Sequence, residues 1–355
     1  MKRTGRSLAE WWWMLLPIAV LALAFQTGGT AVAAPAGTFP EFIPLPNATR
    51  GVAVDKIGNV FVSVGVAGTG GEHVQILKFT PYGVGPSFVA DVGQGTIGGL
   101  MATANGDLYV ALAAGLDRGV WRIARGSQIE LVPGSNQIFF ANGLAFDDRG
   151  TLYVTESVSM GPYGPGQGGI WRIPRGGEAE LWLRDALLSG TGALKQPVPI
   201  GANGIAYYHG NLYVTNTEKG TVMRIPILKD GSAGVPDVWA LQEVPESLPP
   251  LRDMFPVVMG DGIALDVHGN LYVAVLTRSA VVRINAQDLS QETVAAFQIA
   301  PYSVPFAPLD FPASLFFGTG KGERTSLFVT NLGMGKWAGP GLVKIDAGVP
   351  GDPLH

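Results

Sequence analysis

The chain has 355 residues, 47% hydrophobic and 15% charged, with 50 Gly, 26 Pro and no Cys. That length holds two average domains or one large all-β domain, and the apolar fraction supplies a core, which excludes a disordered chain. The lack of cysteine excludes disulfides, thiolate metal sites, cysteine catalysis and a lipidated N-terminal Cys, and a net charge of −4 gives no footing for nucleic acid.

The N-terminus reads as a secretory signal peptide over residues 1–33. Lys2, Arg3 and Arg6 form a basic start, Trp11 to Phe25 is a 15-residue apolar run, and Ala31-Val32-Ala33 offers a cleavage site. A retained anchor is the alternative reading. The run is short of the ~20 residues that span a bilayer, and Pro17 interrupts it. Cleavage would remove three basic residues and one acidic residue, leaving 21 Lys+Arg against 27 Asp+Glu, a net charge of −6. The expectation is an exported protein, secreted or periplasmic, with residues 34–355 as one domain and no membrane partner once the signal is gone.

From Arg50 onward the chain repeats itself. Segments beginning at Arg50, Gly98, Asn142, Asn203, Asp261 and Ala313 each hold a short apolar strand, a Gly-containing turn and a second strand with a Leu/Val/Phe-Tyr/Phe-Val centre. Asn105-Gly106, Asp148-Arg149-Gly150 and His268-Gly269-Asn270 supply residues that tolerate positive φ, as a hairpin turn requires. A third strand follows each hairpin, centred on Lys78, Arg122, Arg172, Arg224, Arg283 or Lys344. Strand periodicity turns those cations away from the apolar layer, so they form either a cationic ring or, on the reading we prefer, a solvated blade face.

Repeat starts lie 48, 44, 61, 58 and 52 residues apart. This predicts an all-β, six-bladed β-propeller with four-stranded blades. Insertions fall at 157–169, 185–202 and 243–258 and are expected to rim one face. The last repeat lacks a fourth strand. Thr38 to Leu45 can supply it beside the strand around Lys344, so that an N-terminal strand closes the ring and removes exposed sheet edges.

Innermost strands of a propeller run in one direction, so equivalent positions at their starts ring one channel mouth. That ring is Arg50, Gly98, Asn142, Asn203, Asp261 and Ala313. Asn142, Asn203 and Asp261 are hard oxygen donors of the kind Ca²⁺ or Mg²⁺ accepts. The same Asn-Gly and Asp-Gly pairs could instead shape a turn ahead of each strand.

Asn142-Gly143, Asn203-Gly204 and Asp261-Gly-Ile-Ala-Leu-Asp, each followed by its hairpin, resemble the senescence-marker-protein/gluconolactonase group, which includes regucalcin. The likeness covers almost the whole chain after the signal. It implies a divalent metal, Ca²⁺ foremost, in the channel and hydrolysis of sugar lactones or related esters. By that resemblance Asn203 and Asp261 match metal-ligand positions, with Asp261 also the candidate base, and Asn142 touches substrate or a metal-bound water. Two positions depart from it. Arg50 stands where the family has a metal-ligand glutamate, and Phe140 where it has a sugar-contacting arginine. Arg50 and Phe140 are thus candidate substrate contacts, with a more apolar ligand in view. Glu156, Asp253 and Asp310 are candidates to replace the lost carboxylate.

Other chemistries find no support. His209 and His268 sit in turns, no Ser lies in a nucleophile elbow, and the glycine-rich run at 164–169 precedes no helix. Trp171, Trp182 and Trp337 read as blade packing. Three functions stay open: a metal-assisted lactone or ester hydrolase, a non-catalytic propeller that binds a small molecule or protein, and a metal-free small-molecule enzyme.

Overall fold

In blades 1, 3 and 5 the turn of the first hairpin is tied by an aspartate. Asp55 Oδ1 accepts from the backbone N–H groups of Ile57 and Asn59, Asp147 Oδ1 from Arg149 and Thr151, and Asp266 Oδ1 from His268 and Asn270. Gly58, Gly150 and Gly269 then carry φ of 89°, 77° and 78°, where a Cβ would be strained.

The structure is a computed structural model. It describes residues 39–353 apart from 69–70, 126–127, 159–166, 193–198, 242–259, 298–304 and 336. The described residues all belong to the second of the chain's two units, Ala34–His355. The signal segment, Asp253 and most of the predicted insertions lie outside them.

Six four-stranded antiparallel sheets follow one another along the chain. The innermost strands of blades 1 to 6 are Thr49–Val54, Thr96–Ala102, Ala141–Phe146, Ala202–Tyr208, Gly260–Leu265 and Pro312–Phe317. The strand Phe42–Pro44 pairs with Gly341–Val343 and makes the fourth strand of blade 6, so the chain's start closes the propeller as expected. Hydrophobic clusters lie between successive blades; Leu144, Val154 and Trp171 of blade 3, for instance, pack with Ala111 and Val120 of blade 2.

The six third-strand cations form no ring. Arg122 pairs with Asp107 and Glu130, Arg172 with Glu180, Arg224 with Asp237, Arg283 with Glu292 and Lys344 with Glu323. Lys78 instead lies 5.9 Å over the Phe61 ring. Trp171 is buried and Trp182 meets Tyr153 edge to face, while Trp337 stacks on Phe297 and is half exposed.

Candidate functional site: the ring at the channel mouth

The Asn-Gly and Asp-Gly pairs do not make turns ahead of the strands. In all six blades the register between first and second strands shifts at this point, between Ala141 and Leu144 in blade 3 and between Gly260 and Ile263 in blade 5. Each pair therefore sits in a bulge inside the innermost strand, a device that re-aims one side chain. The glycine lets the next blade come close. A Cβ on Gly143 would stand 2.6 Å from the Asn203 carbonyl oxygen.

A hydroxyl on the second strand staples the blades together. Thr215 Oγ1 accepts from Gly204 N–H at 2.8 Å and donates to the Asp261 carbonyl of the next blade at 2.7 Å. Thr155 links Gly143 to the Asn203 carbonyl, and Thr330 links Ser314 to the Arg50 carbonyl. The backbones that carry the ring are thus fixed by neighbouring blades.

On this frame four side chains meet. Asn142 Nδ2 donates to Asn203 Oδ1 at 2.6 Å and to Ser157 Oγ at 3.1 Å. Asn203 Nδ2 donates to Thr217 Oγ1 at 2.9 Å, and the Asn203 side chain is close enough to the Asp261 carboxylate to favour its charged form. Arg50 Nη2 reaches Asp261 Oδ2 at 3.4 Å, past blade 6, which contributes only Ala313 to the ring. Blade 2 adds the side-chain-free Gly98. Asn142, Asn203 and Asp261 are buried, while 19% of the Arg50 side chain faces the mouth. Arg50 Nε is buried and has no hydrogen-bond partner among the described residues.

Two residues beyond the ring, equivalent positions in the six blades are Val52, Leu100, Leu144, Ile205, Ile263 and Leu315, an apolar collar around the channel. It gives the channel beneath the ring an apolar wall. Burial pushes the Asp261 carboxyl above the ordinary aspartate range, and the Arg50 charge and the Asn203 side chain pull it back without cancelling the effect. The far mouth is crossed by the C-terminal tail, where Asp352 N–H donates to the Leu265 carbonyl at 2.9 Å.

The candidate replacements for the lost glutamate are engaged elsewhere. Glu156 accepts from Phe139 N–H, Trp171 Nε1 and Arg184. Asp310 anchors a loop through the N–H groups of Gly335, Trp337, Ala338 and Gly339. Phe140 is half-buried beside Asn142 and bridges Ala113. Besides Asp261, the carboxylate that feels the Arg50 charge is Glu72, at the start of blade 1's third strand. Its side chain lies over Gly65, where a Cβ would collide with it. Desolvation raises its pKa and the Arg50 charge opposes that rise. Nothing in the repeat pattern marked Glu72 in the sequence.

The donors do not fit a divalent ion as they stand. The ring offers one carboxylate, already paired with a guanidinium, and two amides bonded to each other. An ion ~4 Å from Arg50 would meet a repulsion of roughly 8 kcal/mol at an effective dielectric of ~20. Among the described residues no three His, Asp or Glu side chains gather as a metal-holding group.

Fold and ring together define a six-bladed propeller with a polar, charge-paired cluster at one channel mouth. Solved structures with this architecture include a luciferin-regenerating enzyme, with a TM-score of 0.61 at 15% identity over 90% of this chain and 95% of that one. A gluconolactonase from Xanthomonas campestris matches with a TM-score of 0.58 at 16% identity over 86% of each chain. The calcium-binding protein regucalcin from Agrobacterium tumefaciens matches with a TM-score of 0.58 at 16% identity over 89% of this chain and 97% of that one. These similarities establish the shared propeller fold. No family model matches the sequence, and no curated protein is detectably similar to it.

Proposed function

We propose that this is an exported hydrolase of lactones or esters that works at the channel mouth where Arg50 meets Asp261. The observation that carries the reading is the pairing of a buried carboxylate of raised pKa with a guanidinium whose Nε–H is still unused. Fixed donors aimed at developing negative charge are usually the largest catalytic element of a site, and Arg50, where the resemblance would put a metal-ligand glutamate, brings a positive charge of its own to the ring. A carbonyl oxygen accepts from Arg50. The oxygen of water adds to the carbonyl carbon as its proton passes to Asp261. The ring or ester C–O bond then breaks, and that proton goes to the departing alkoxide oxygen, leaving a carboxylic acid and a hydroxyl.

The electrostatics favour a neutral substrate. Asp261 already balances Arg50, and Glu72 lies within its field, so an anion gains little at the mouth. Phe140 on the rim suits a more apolar lactone than a sugar acid's. Turnover of a lactone and aryl-ester panel, unaffected by chelator, tests the reading. Asp261→Asn should lower it by at least about a hundredfold, and a variant that keeps full turnover refutes the assignment. The second reading, binding without turnover, is favoured by one fact: Arg50 and Asp261 satisfy each other in part. It gains if ligands bind the mouth and none is cleaved. Export predicts a mature chain beginning near Ala34, which intact mass determines.

A further inference from the structure

On the face opposite the ring, blades 6, 1 and 2 present apolar loop tips among unpaired cations. Ile57, Tyr82 and Val84 are 66%, 62% and 69% exposed. They form one surface. A Cβ on Gly58, next to Ile57, would stand 3.0 Å from Gly320 Cα and 3.4 Å from Pro81 Cβ, and Thr319 Oγ1 donates to the Asp55 carbonyl. A groove between blades 1 and 2 continues this surface and carries Lys56, Lys78 and Arg125 in its walls. Lys321 and Arg324 extend it on the other side and are exposed, as are Lys56 and Arg125.

Of the acids in this sector, Asp107 is paired with Arg122 and Glu323 with Lys344; Asp55 accepts from its own hairpin and Asn59 and keeps its charge, and Glu41 and Asp346 are exposed. Lys78 explains why cation is left over here. The other four fully outer-paired blades place Glu130, Glu180, Asp237 or Glu292 opposite their third-strand arginine, whereas the residue opposite Lys78 is Ser87. The described chain also enters the fold at this surface: Pro40 packs directly on Gly83, between Tyr82 and Val84.

We infer that this face docks on an anionic lipid surface, with Lys56, Lys78, Arg125, Lys321 and Arg324 meeting headgroups and Ile57, Tyr82 and Val84 entering the interface. Exposed apolar tips ringed by basic side chains suit that partner, since each gains there what water denies it. The overall charge argues against anionic partners; at this surface the five cations stand against the acids Glu41, Asp55 and Asp346. Docking would leave the ring facing solution on the opposite side.

The test is hydrogen exchange of the full chain on phosphatidylcholine vesicles and on vesicles containing phosphatidylglycerol. Lys2, Arg3 and Arg6 give the N-terminal segment its own attraction to anionic lipid, so the position of the protected residues, rather than headgroup dependence alone, reports this face. Protection of residues 55–59 and 80–85 on anionic vesicles alone is expected. The triple variant Lys56→Glu/Arg125→Glu/Lys321→Glu should lose it, and Ile57→Ser/Val84→Ser should lose it at raised salt. Equal exchange on both lipids, protection elsewhere, or a triple variant that behaves as wild type overturns the inference. Binding to soluble dextran sulfate without protection on vesicles overturns the lipid assignment in favour of a soluble polyanion. All substitutions lie outside the ring, so lactone turnover is expected to be unchanged.

Discussion

Arg50 and Asp261 come from blades that are not neighbours, yet the guanidinium lies 3.4 Å from the carboxylate. Blade 6 stands between them and contributes only the small Ala313 at this level. The pair closes an arc that runs through Asn203 to Asn142, and it decides what charge the channel mouth can accept.

Arg50→Glu reverses that charge. The ring would then hold two carboxylates and two amides, and Ca²⁺ affinity rises with ligand charge. Titration calorimetry should find no stoichiometric Ca²⁺ site in the wild type and one in Arg50→Glu. A wild type that binds Ca²⁺ tightly would show that Arg50 swings away and that the ring serves metal chemistry after all.

The raised pKa of Asp261 has consequences of definite sign. The native state holds this proton more tightly than the unfolded chain does, so the contribution to stability is complete below the ordinary aspartate range. It is lost as pH rises towards the native pKa. The difference in unfolding free energy between wild type and Asp261→Asn, followed by urea titration across pH, should therefore move against the wild type as pH rises over that window. Turnover that uses the carboxylate as base should show an acid limb displaced above the ordinary carboxylate range. An acid limb that stays put in Asp261→Asn would assign it to another group, with Glu72 first in line because partial desolvation raises it too.

Much of this was legible in the sequence. Six repeats of one hairpin fix six blades, because strand period, turn chemistry and a basic third strand agree in every copy. The ring was legible because its members share a register position. Register gives neither reach nor direction, however, so the crossing of Arg50 to Asp261 past Ala313 was not visible. Glu72 was hidden for a related reason: it acts from a third strand, across Gly65, outside the position the repeat singles out. Glu156 and Asp310 read as candidate carboxylates, and Glu218, buried, drew no reading at all. Their partners are mostly backbone N–H groups of irregular loops, such as those of Gly192 and Ile200 around Glu218, which no periodic pattern announces.

The threonine staples yield the last prediction. Thr215 Oγ1 satisfies two buried backbone groups at once, the N–H of Gly204 and the carbonyl of Asp261. Thr215→Val keeps the shape and removes both bonds, leaving a donor and an acceptor unpaired between blades 4 and 5. Each such group costs about 1–3 kcal/mol, so a loss of stability in that range or somewhat above it is expected from denaturant titration. Thr215→Ser keeps the hydroxyl and should recover most of the loss, which separates the hydrogen bonds from the packing of the methyl group. Blade 5 has Ala274 at the equivalent place and makes no such staple. Ala274→Thr should therefore leave the fold intact and gain little unless its hydroxyl reaches the Ala313 carbonyl. Because Asp261 hangs on the backbone that Thr215 holds, Thr215→Val should also impair turnover beyond its effect on the folded fraction. Equal turnover per folded molecule would mean that the bulge alone positions the ring.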